Sequence, residues 1–212
     1  MKISRRAGVG TALATVALLT ACGAPDAGSA LTYDGGRITE ATLAADAQQL
    51  ADLVGAPVSR TITEATLNRM ATFVLVDEVA DRAGIEVSQG QVDAAVDEQV
   101  QQFGSRARLE QAALQQGVPP SALEDYFRVN LVYSELVKSS ATDPAKPETG
   151  EPIAQRYLSE VSNQISLRTN PRFGTWSAQK LQVVSNEDGL TRPPDNEVSG
   201  LPEGLTLPGQ PN

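Results

Sequence analysis

The stretch TITEATLNRMATFVLVDEVADRAG, residues 61–84, decides the fold, because it is the most apolar helical pattern downstream of the N-terminal leader. Apolar residues recur in it at spacings of three and four and form a wide stripe: Leu67, Met70, Val74 and Leu75, with Phe73, Val76 and Val79 beside it. The pattern Thr61-x-x-Glu64 is typical of a capping box at a helix start. We therefore predict a helix from about Thr63 to Ala83 that is central and nearly enclosed.

The sequence on both sides of this stretch predicts further helices, each with one apolar face and a start or stop signal. Helices are predicted from the N-cap Thr39 to about Val54, from Ser88-x-x-Gln91 to Gly104, from Ser105 to Gly117, after Pro119-Pro120, and from Pro152 to about Ile165. Their predicted inner faces are Leu43, Ala47, Leu50 and Val54; Val92, Val96, Val100 and Phe103; Leu109, Ala112, Ala113 and Gln116; Leu123, Phe127, Leu131 and Val137; and Ile153, Tyr157, Val161 and Ile165. The predicted fold class is mainly α, a bundle of five to six helices.

Two short stretches outside the helices predict a small β element. Leu31-Thr32-Tyr33 fits a strand that the turn Asp34-Gly35-Gly36 closes, and this turn lacks the further ligands of a calcium loop. Ile165–Thr169 fits either a fraying helix end or a strand. We favour a strand from about Ser166, because Asn170-Pro171 then forces a turn.

The first 22 residues predict a signal peptide and a lipid attachment site. A short basic leader is followed by an uncharged run of small residues up to Ala21, which is typical of a secretory signal. This run is shorter than the roughly 20 residues that cross a bilayer as a helix. Leu19-Thr20-Ala21-Cys22 looks like a lipobox, so we predict cleavage after Ala21 and lipidation (palmitate) of Cys22. The alternative is ordinary signal peptidase cleavage nearby, which leaves Cys22 as a free thiol.

Composition excludes several classes of function. The 212 residues carry a net charge of −9, and without the leader's three basic residues the remainder has 14 basic and 26 acidic residues, a net charge of −12. Such an acidic body argues against binding nucleic acid and against lying flat on anionic lipid. Because there is no histidine and Cys22 is the only cysteine, the commonest general base, the commonest metal ligand and any disulfide framework are missing. We expect neither a metal nor a cofactor.

Clusters of acidic and hydroxyl groups give no convincing catalytic site. Asp77, Glu78 and Asp81 lie together on the central helix, and paired carboxylates can act as general acid and base. Without a histidine or a pocket signal, a solvated helix face is the better interpretation. Ser139-Ser140 follows a lysine, but it lies at the start of a linker and is a poor candidate for a nucleophile. We predict that the protein is not an enzyme.

Three stretches, taken in order, carry a resemblance to a known family. The first runs from Leu31 to Thr39, the second from Gly84-Ile85-Glu86-Val87-Ser88 through Phe103-Gly104 to Gly117-Val118, and the third is Asn170-Pro171-Arg172-Phe173-Gly174-Thr175-Trp176. Their order and spacing resemble the N-terminal domain of SurA/PrsA-type secreted chaperones and foldases, including actinobacterial lipoproteins of this type. The third stretch looks like the segment with which many actinobacterial members end that domain. The resemblance covers about residues 30–180.

The resemblance implies a helical chaperone-like module in which the opening strand and the closing segment pair. Leu31–Tyr33 would then meet about Ser166–Thr169, with Leu181–Val184 as a further candidate strand, and Cys22 would lie near the closing segment. Many relatives carry a parvulin-type prolyl isomerase domain of roughly 90 residues before the closing segment. Here only Ser139 to Glu151 separates the two helices, so the isomerase activity is not carried over.

The predicted organisation follows from these motifs and from the composition of the connecting stretches. It comprises a signal peptide (1–21), a tether (22–30), a SurA-like helical domain (31–184) with an exposed linker (139–151), and a disordered acidic and proline-rich tail (185–212). The predicted location is the cell membrane, where the lipid on Cys22 holds the protein at the extracytoplasmic face.

The predicted function is the binding of unfolded or secreted polypeptides near the membrane, without catalysis. It needs an apolar surface that the helices leave open. The alternative is an envelope scaffold or accessory lipoprotein that binds one folded partner. The candidate contacts are Arg172, Phe173 and Trp176. Arg172 either binds a partner's carboxylate or satisfies local carbonyls, and the two aromatic residues either face a client or plug the bundle.

Overall fold

Helix α2 (Arg60–Ala83) runs through the centre of the molecule in a computed structural model that describes residues 27–185. The helix begins three residues before the predicted start, because Ser59 is the N-cap and its hydroxyl accepts a hydrogen bond from the Ile62 N–H at 3.2 Å. The predicted capping box at Thr61 and Glu64 is therefore wrong. Glu64 lies inside the helix and accepts a hydrogen bond from Arg60 at 2.6 Å.

The described residues form six α-helices, three short 3-10 turns and five short β-strands. In chain order the helices and strands are β1 (Ser29–Tyr33), β2 (Gly36–Thr39), α1 (Glu40–Val54), α2 (Arg60–Ala83), α3 (Gln89–Phe103), α4 (Arg106–Gln115), α5 (Leu123–Ser140), α6 (Glu151–Gln164), β3 (Arg168–Thr169), β4 (Thr175–Ser177) and β5 (Gln182–Val184). The predicted fold class, a mainly-α bundle with a small β element, is confirmed.

Local capping signals place the starts of three helices where the sequence predicts them. Thr39 accepts a hydrogen bond from the Thr42 N–H at the start of α1, and Ser105 does the same for Arg108 at the start of α4. Ser88 and Gln91 form the predicted reciprocal capping box of α3. These side chains satisfy amide groups that have no partner within the helix, so each helix begins at a defined residue.

The small β element joins the two ends of the described chain. Strand β1 lies between β2 and β3, and Leu31 faces Thr169 in the antiparallel register of β1 and β3. This is the predicted meeting of the opening strand and the closing segment. Leu181–Val184 does not join this sheet as expected, because β5 pairs with β4 in a separate hairpin. The sequence also missed β2, whose four residues include a single apolar side chain.

Three apolar clusters form the core. The main cluster lies between α2, α5, α6 and the β element; a second cluster lies between α3, α4 and α5; and a third joins α1 to the first turn of α2. Helix α5 contributes side chains to two of these clusters. The predicted residues Leu123, Phe127 and Leu131 face the second one, whereas the main one receives Val129, Val132, Tyr133 and Leu136.

Two predictions from the sequence need correction: the burial of Phe103 and the exposure of the whole linker. Phe103, expected on the inner face of α3, is 40% exposed. The predicted exposed linker is exposed over most of its length, but a 3-10 turn, Pro147–Gly150, packs against α5 and buries Gly150. A methyl group at Gly150 would overlap the carbonyl oxygen of Val137 and would lie 2.7 Å from the Ala141 amide nitrogen.

The predicted signal peptide, the cleavage site after Ala21, the lipidation site Cys22 and the tail from residue 186 lie outside the described residues. Of the helices within residues 27–185, none combines the length and the apolar content that crossing a membrane requires.

Candidate functional site

An open groove lies between α1, the connection before α2 and the closing segment. We call it the α1 groove; it encloses about 530 Å³. It is lined by Glu40, Ala41, Leu43, Ala44, Ala47, Gln48, Val58, Thr63, Arg172 and Phe173. Five of these ten residues are aliphatic, namely Ala41, Leu43, Ala44 and Ala47 of α1 together with Val58, which is 44% exposed. The volume is within the range of ordinary ligand pockets, and the lining is mainly apolar.

The helix periodicity of α1 explains why the groove is open. Leu43, Ala47 and Leu50 are buried and hold α1 against the bundle, as predicted. Ala44 and Gln48 lie one position further round the helix and are exposed. Because Ala41 and Ala44 have short side chains, they leave space between α1 and Phe173 that longer side chains would fill.

Asn170 fixes the closing segment, residues 170–176, to the start of α1. Its backbone N–H donates to the Ala30 carbonyl at 2.8 Å, and its side-chain amide donates to the Ser29 carbonyl and to a Glu40 carboxylate oxygen at 3.2 and 3.1 Å. Its side-chain oxygen accepts the Arg172 N–H at 3.2 Å and so caps a 3-10 turn, Pro171–Phe173. This turn places Arg172 and Phe173 at the edge of the groove.

Arg172 and Phe173 form one wall of the α1 groove. The Nη1 of Arg172 lies 2.8 Å from a Glu40 carboxylate oxygen, and its guanidinium carbon lies 4.6 Å from the centre of the Phe173 ring. Arg172 therefore pairs with a carboxylate of its own chain, which is neither of the two expected roles. Its side chain stays 61% exposed, so the upper part of this wall is in solvent.

Trp176 lies apart from the groove and closes the bundle. Its indole N–H donates to the Ser162 hydroxyl at 2.6 Å, and Ser162 is 1% exposed. The ring is half-buried against the main cluster, as is Phe173. Of the three candidate contacts, the structure therefore places Arg172 and Phe173 at an open surface and Trp176 in the position of a plug.

Arg69 was not singled out from the sequence, although it is the largest fully buried side chain among residues 27–185. It is 1% exposed, and its guanidinium donates to the Gly117 carbonyl at 2.8 Å and to Asp46 at 3.4 Å. Burial lowers the pKa of Arg69 below its ordinary value, while Asp46 acts in the opposite direction. Thr66, Arg69 and Thr72 recur at spacings of three along a helix that was predicted to be enclosed. This row of polar residues on one helix face could have indicated a buried polar site.

The carboxyl groups of the acidic cluster on α2 have different surroundings. Loss of hydration raises the pKa of Asp77, Asp125 raises it further, and Arg128 lowers it. Glu78 is paired with Arg82 at 2.6 Å. Within residues 27–185, no group of three or more acidic or cysteine side chains lies close enough together to hold a metal ion.

A second apolar cleft lies between α3, α4 and α5 on another part of the surface. We call it the Phe103 cleft; it encloses about 300 Å³. Its lining residues are Gln99, Phe103, Leu109, Ala112, Ala113, Gln116, Leu123, Tyr126, Phe127 and Asn130. Tyr126 and Phe127 meet edge to face at 5.8 Å, so part of its wall is a fixed aromatic pair.

Comparison with known proteins gives no relative: no family model, no curated protein and no solved structure matches the chain.

Proposed function

We propose that this protein binds unfolded or secreted polypeptides as a non-enzymatic, lipid-anchored, chaperone-like protein at the extracytoplasmic face of a membrane. The observation that carries the proposal is the α1 groove, an open and mainly apolar surface of about 530 Å³. Its two charged groups, Glu40 and Arg172, are already paired with each other at 2.8 Å. The groove therefore favours apolar side chains over a particular charge on the client.

The chemistry of the groove favours weak and reversible binding. Each apolar side chain that a client buries completely contributes about 1.5–3 kcal/mol. Association and ordering of the client cost at least about 4 kcal/mol, so one or two anchoring side chains give a low net affinity. The aliphatic lining offers few hydrogen-bonding groups that would select one sequence. Low affinity and low sequence selectivity are the properties that a protein needs to hold many different unfolded segments.

The resemblance to SurA/PrsA-type chaperones adds support, and membership of that family is part of the proposal. It led us to expect that the opening strand would meet the closing segment, and Leu31 does face Thr169 across the sheet. The proposed anchor depends on the lipobox-like sequence around Cys22. Metabolic labelling with radioactive palmitate tests it: the unchanged chain should be labelled and Cys22→Ala should not.

A pair of variants on α1 tests the role of the groove. Ala44 lines the groove, whereas its neighbour Ala45 is also exposed but does not. Ala44→Gln should place a polar amide in the groove and reduce the suppression of aggregation of several unrelated denatured proteins at least fivefold. Ala45→Gln makes the same change of side chain on the same helix and should leave the suppression unchanged. Equal activity of the two variants would exclude the groove as the client site.

The second candidate is an envelope scaffold or accessory lipoprotein that binds one folded partner. The Phe103 cleft favours it, because a fixed aromatic wall and an exposed Phe103 suit a partner of defined shape. In this case the protein should protect none of the denatured proteins. Crosslinking in cells should recover one partner, and Phe103→Ser should abolish that crosslink.

An isomerase assay tests the absence of enzymatic function that the proposal includes. Turnover of a Xaa-Pro peptide should stay at the uncatalysed rate, because the chain between Ser139 and Glu151 is too short for a parvulin-type domain. Turnover clearly above that rate would contradict the non-enzymatic part of the proposal.

A further inference from the structure

The last described residue lies close to the α1 groove. Strand β5 runs along α2 towards its N-terminal end: the Val183 N–H donates to Asn68 at 2.6 Å, and the Ser185 hydroxyl donates to Glu64 at 3.1 Å. Glu64 is the sequence neighbour of Thr63, which lines the groove. Their Cα atoms are therefore about 3.8 Å apart. The last described residue therefore contacts α2 one position from a residue of the groove, and β5 runs towards the end of α2 that contributes this residue.

The sequence after Ser185 contains a segment whose apolar side chains suit the apolar lining of the groove. Residues 186–200 carry most of the charges of this stretch, whereas Leu201-Pro202-Glu203-Gly204-Leu205-Thr206-Leu207-Pro208 contains three leucines and one charge. Pro202 and Pro208 lack a backbone N–H, so this sequence is unsuited to a helix interior or a central strand. A leucine-rich segment of low charge is also the kind of ligand that the proposed function assigns to the groove.

The connecting chain is long enough to reach the groove. Residues 186–200 separate Ser185 from Leu201, and a random-coil chain of about 15 residues has a typical end-to-end distance of roughly 19–23 Å. A tethered segment at this range has an effective concentration on the order of 1 mM. A segment with a Kd of about 0.1 mM would then fill the groove about ten times as often as it leaves it empty.

We infer that the segment Leu201–Pro208 binds in the α1 groove of its own chain and competes there with clients. This inference rests on the proposed function for its biological meaning, but the binding itself does not depend on it. Clients that bury more apolar surface than three leucines displace the segment, whereas short or polar segments do not. The tail thereby sets a threshold for client binding.

Site-specific crosslinking in the full chain, held in lipid nanodiscs, tests the binding directly. The photo-crosslinking amino acid p-benzoylphenylalanine replaces Gln48, an exposed residue that lines the groove. The control position is Ser134, an exposed residue of α5 that does not line the groove. We expect a crosslink within one chain from position 48 to residues 201–208 and none from position 134. No crosslink to this segment, or crosslinks only between two chains, would overturn the inference.

A binding measurement gives the second test. The triple variant Leu201→Ser/Leu205→Ser/Leu207→Ser should bind a fluorescein-labelled peptide with the sequence of residues 200–208 about tenfold more tightly than the unchanged chain does. Leu190→Ser, a change of the same kind nearer to Ser185, should leave the affinity unchanged. Equal affinities of the triple variant and the unchanged chain would contradict the inference.

These outcomes are separable from those that concern client binding. If the crosslink and the tenfold change are found but no denatured protein is protected, the intramolecular binding stands and the proposed function fails. If protection depends on Ala44 while the crosslink and the tenfold change are absent, the proposed function stands and this inference is wrong.

Discussion

Arg69 and Arg172 each pair with an acidic residue of α1, but in opposite surroundings. Arg69 is 1% exposed, contacts Asp46 at 3.4 Å and also donates to the Gly117 carbonyl at 2.8 Å. Arg172 is 61% exposed, contacts Glu40 at 2.8 Å and lies over the Phe173 ring. The shorter ion pair is thus the more exposed one. Exposed pairs contribute about 0–1 kcal/mol, so distance alone does not rank their importance.

The difference shows that α1 is held by buried contacts at one place and by solvent-exposed contacts at another. Around Asp46, the helix is fixed to α2 and to the connection between α4 and α5 through the buried guanidinium of Arg69. Around Glu40, it is fixed to the closing segment through groups that water can reach. We propose that the Arg172–Phe173 wall of the groove is therefore the adjustable one and that the side of α1 held at Asp46 is rigid, which would let the groove accept clients of different shapes. Four predictions, ordered by the size of the expected effect, test this division.

The largest expected effect comes from the backbone that carries Arg172. Gly174 has a φ of +113°, and a methyl group there would lie 2.7 Å from both the Val183 side chain and the Val184 carbonyl oxygen. Gly174→Ala combines an unfavourable backbone conformation with overlap of buried atoms. It should lower the free energy of unfolding by about 3–4 kcal/mol, as measured by urea denaturation.

Gly90→Ala is the control for this substitution. Gly90 lies in the first turn of α3, and apart from its chain neighbours and the backbone of its own helix no atom lies within 4 Å of the position of an added methyl group. Alanine should therefore leave the stability unchanged or raise it by up to about 1 kcal/mol. If Gly174→Ala behaved like Gly90→Ala, the closing segment would be free to move, and the adjustable wall would extend beyond Arg172 and Phe173.

The second prediction concerns Arg69, which holds α1 at Asp46. Arg69→Met keeps most of the side-chain volume but leaves the Gly117 carbonyl without its donor and Asp46 without its partner. It should lower the free energy of unfolding by about 2–3 kcal/mol. Arg60→Met removes an exposed pair with Glu64 from the same helix and should cost less than about 1 kcal/mol. Equal costs of the two substitutions would show that burial does not distinguish Arg69.

What the sequence could predict depended on the distance between interacting residues. The helix starts at Thr39, Ser88 and Ser105 were predicted correctly, because each cap contacts a residue three positions away. The start of α2 was predicted wrongly because two hydroxyl residues, Ser59 and Thr61, both fit a cap. In that case the choice depends on where the preceding chain turns.

The missed features depend on contacts that are distant in sequence. Arg69 meets Asp46 and Gly117, which lie 23 and 48 positions away, and no local pattern names such partners. The groove was expected only as an apolar surface, and its location on α1 depends on which face of the helix its neighbours leave uncovered. Arg172 and Phe173 were candidate contacts because the closing segment was recognised by resemblance, whereas their pairing with α1 came from the structure.

The third prediction separates Trp176 from the groove. Trp176→Phe removes the donor to the Ser162 hydroxyl and should lower the free energy of unfolding by about 1–2 kcal/mol, without affecting the suppression of aggregation. Ser162→Ala should have a similar cost, because it leaves the indole N–H without an acceptor. The double variant should cost about 1 kcal/mol less than the sum of the two single changes. Additive costs would show that the Trp176–Ser162 hydrogen bond does not contribute to stability, and a loss of client protection would assign Trp176 to the client site.

The smallest expected effect on stability belongs to Arg172 itself. Arg172→Gln removes an exposed pair and should lower the free energy of unfolding by only about 0.5 kcal/mol, and 1 M salt should abolish most of this difference because it screens exposed charges. The contribution of Arg69 should persist in the same salt. Client protection should fall although the free energy of unfolding barely changes, because the substitution leaves Glu40 with the Asn170 amide but without its charged partner and removes the guanidinium from the Phe173 ring. A variant with a large loss of stability that salt does not reduce would show that Arg172 acts as a second buried anchor, and the groove would then have two rigid walls.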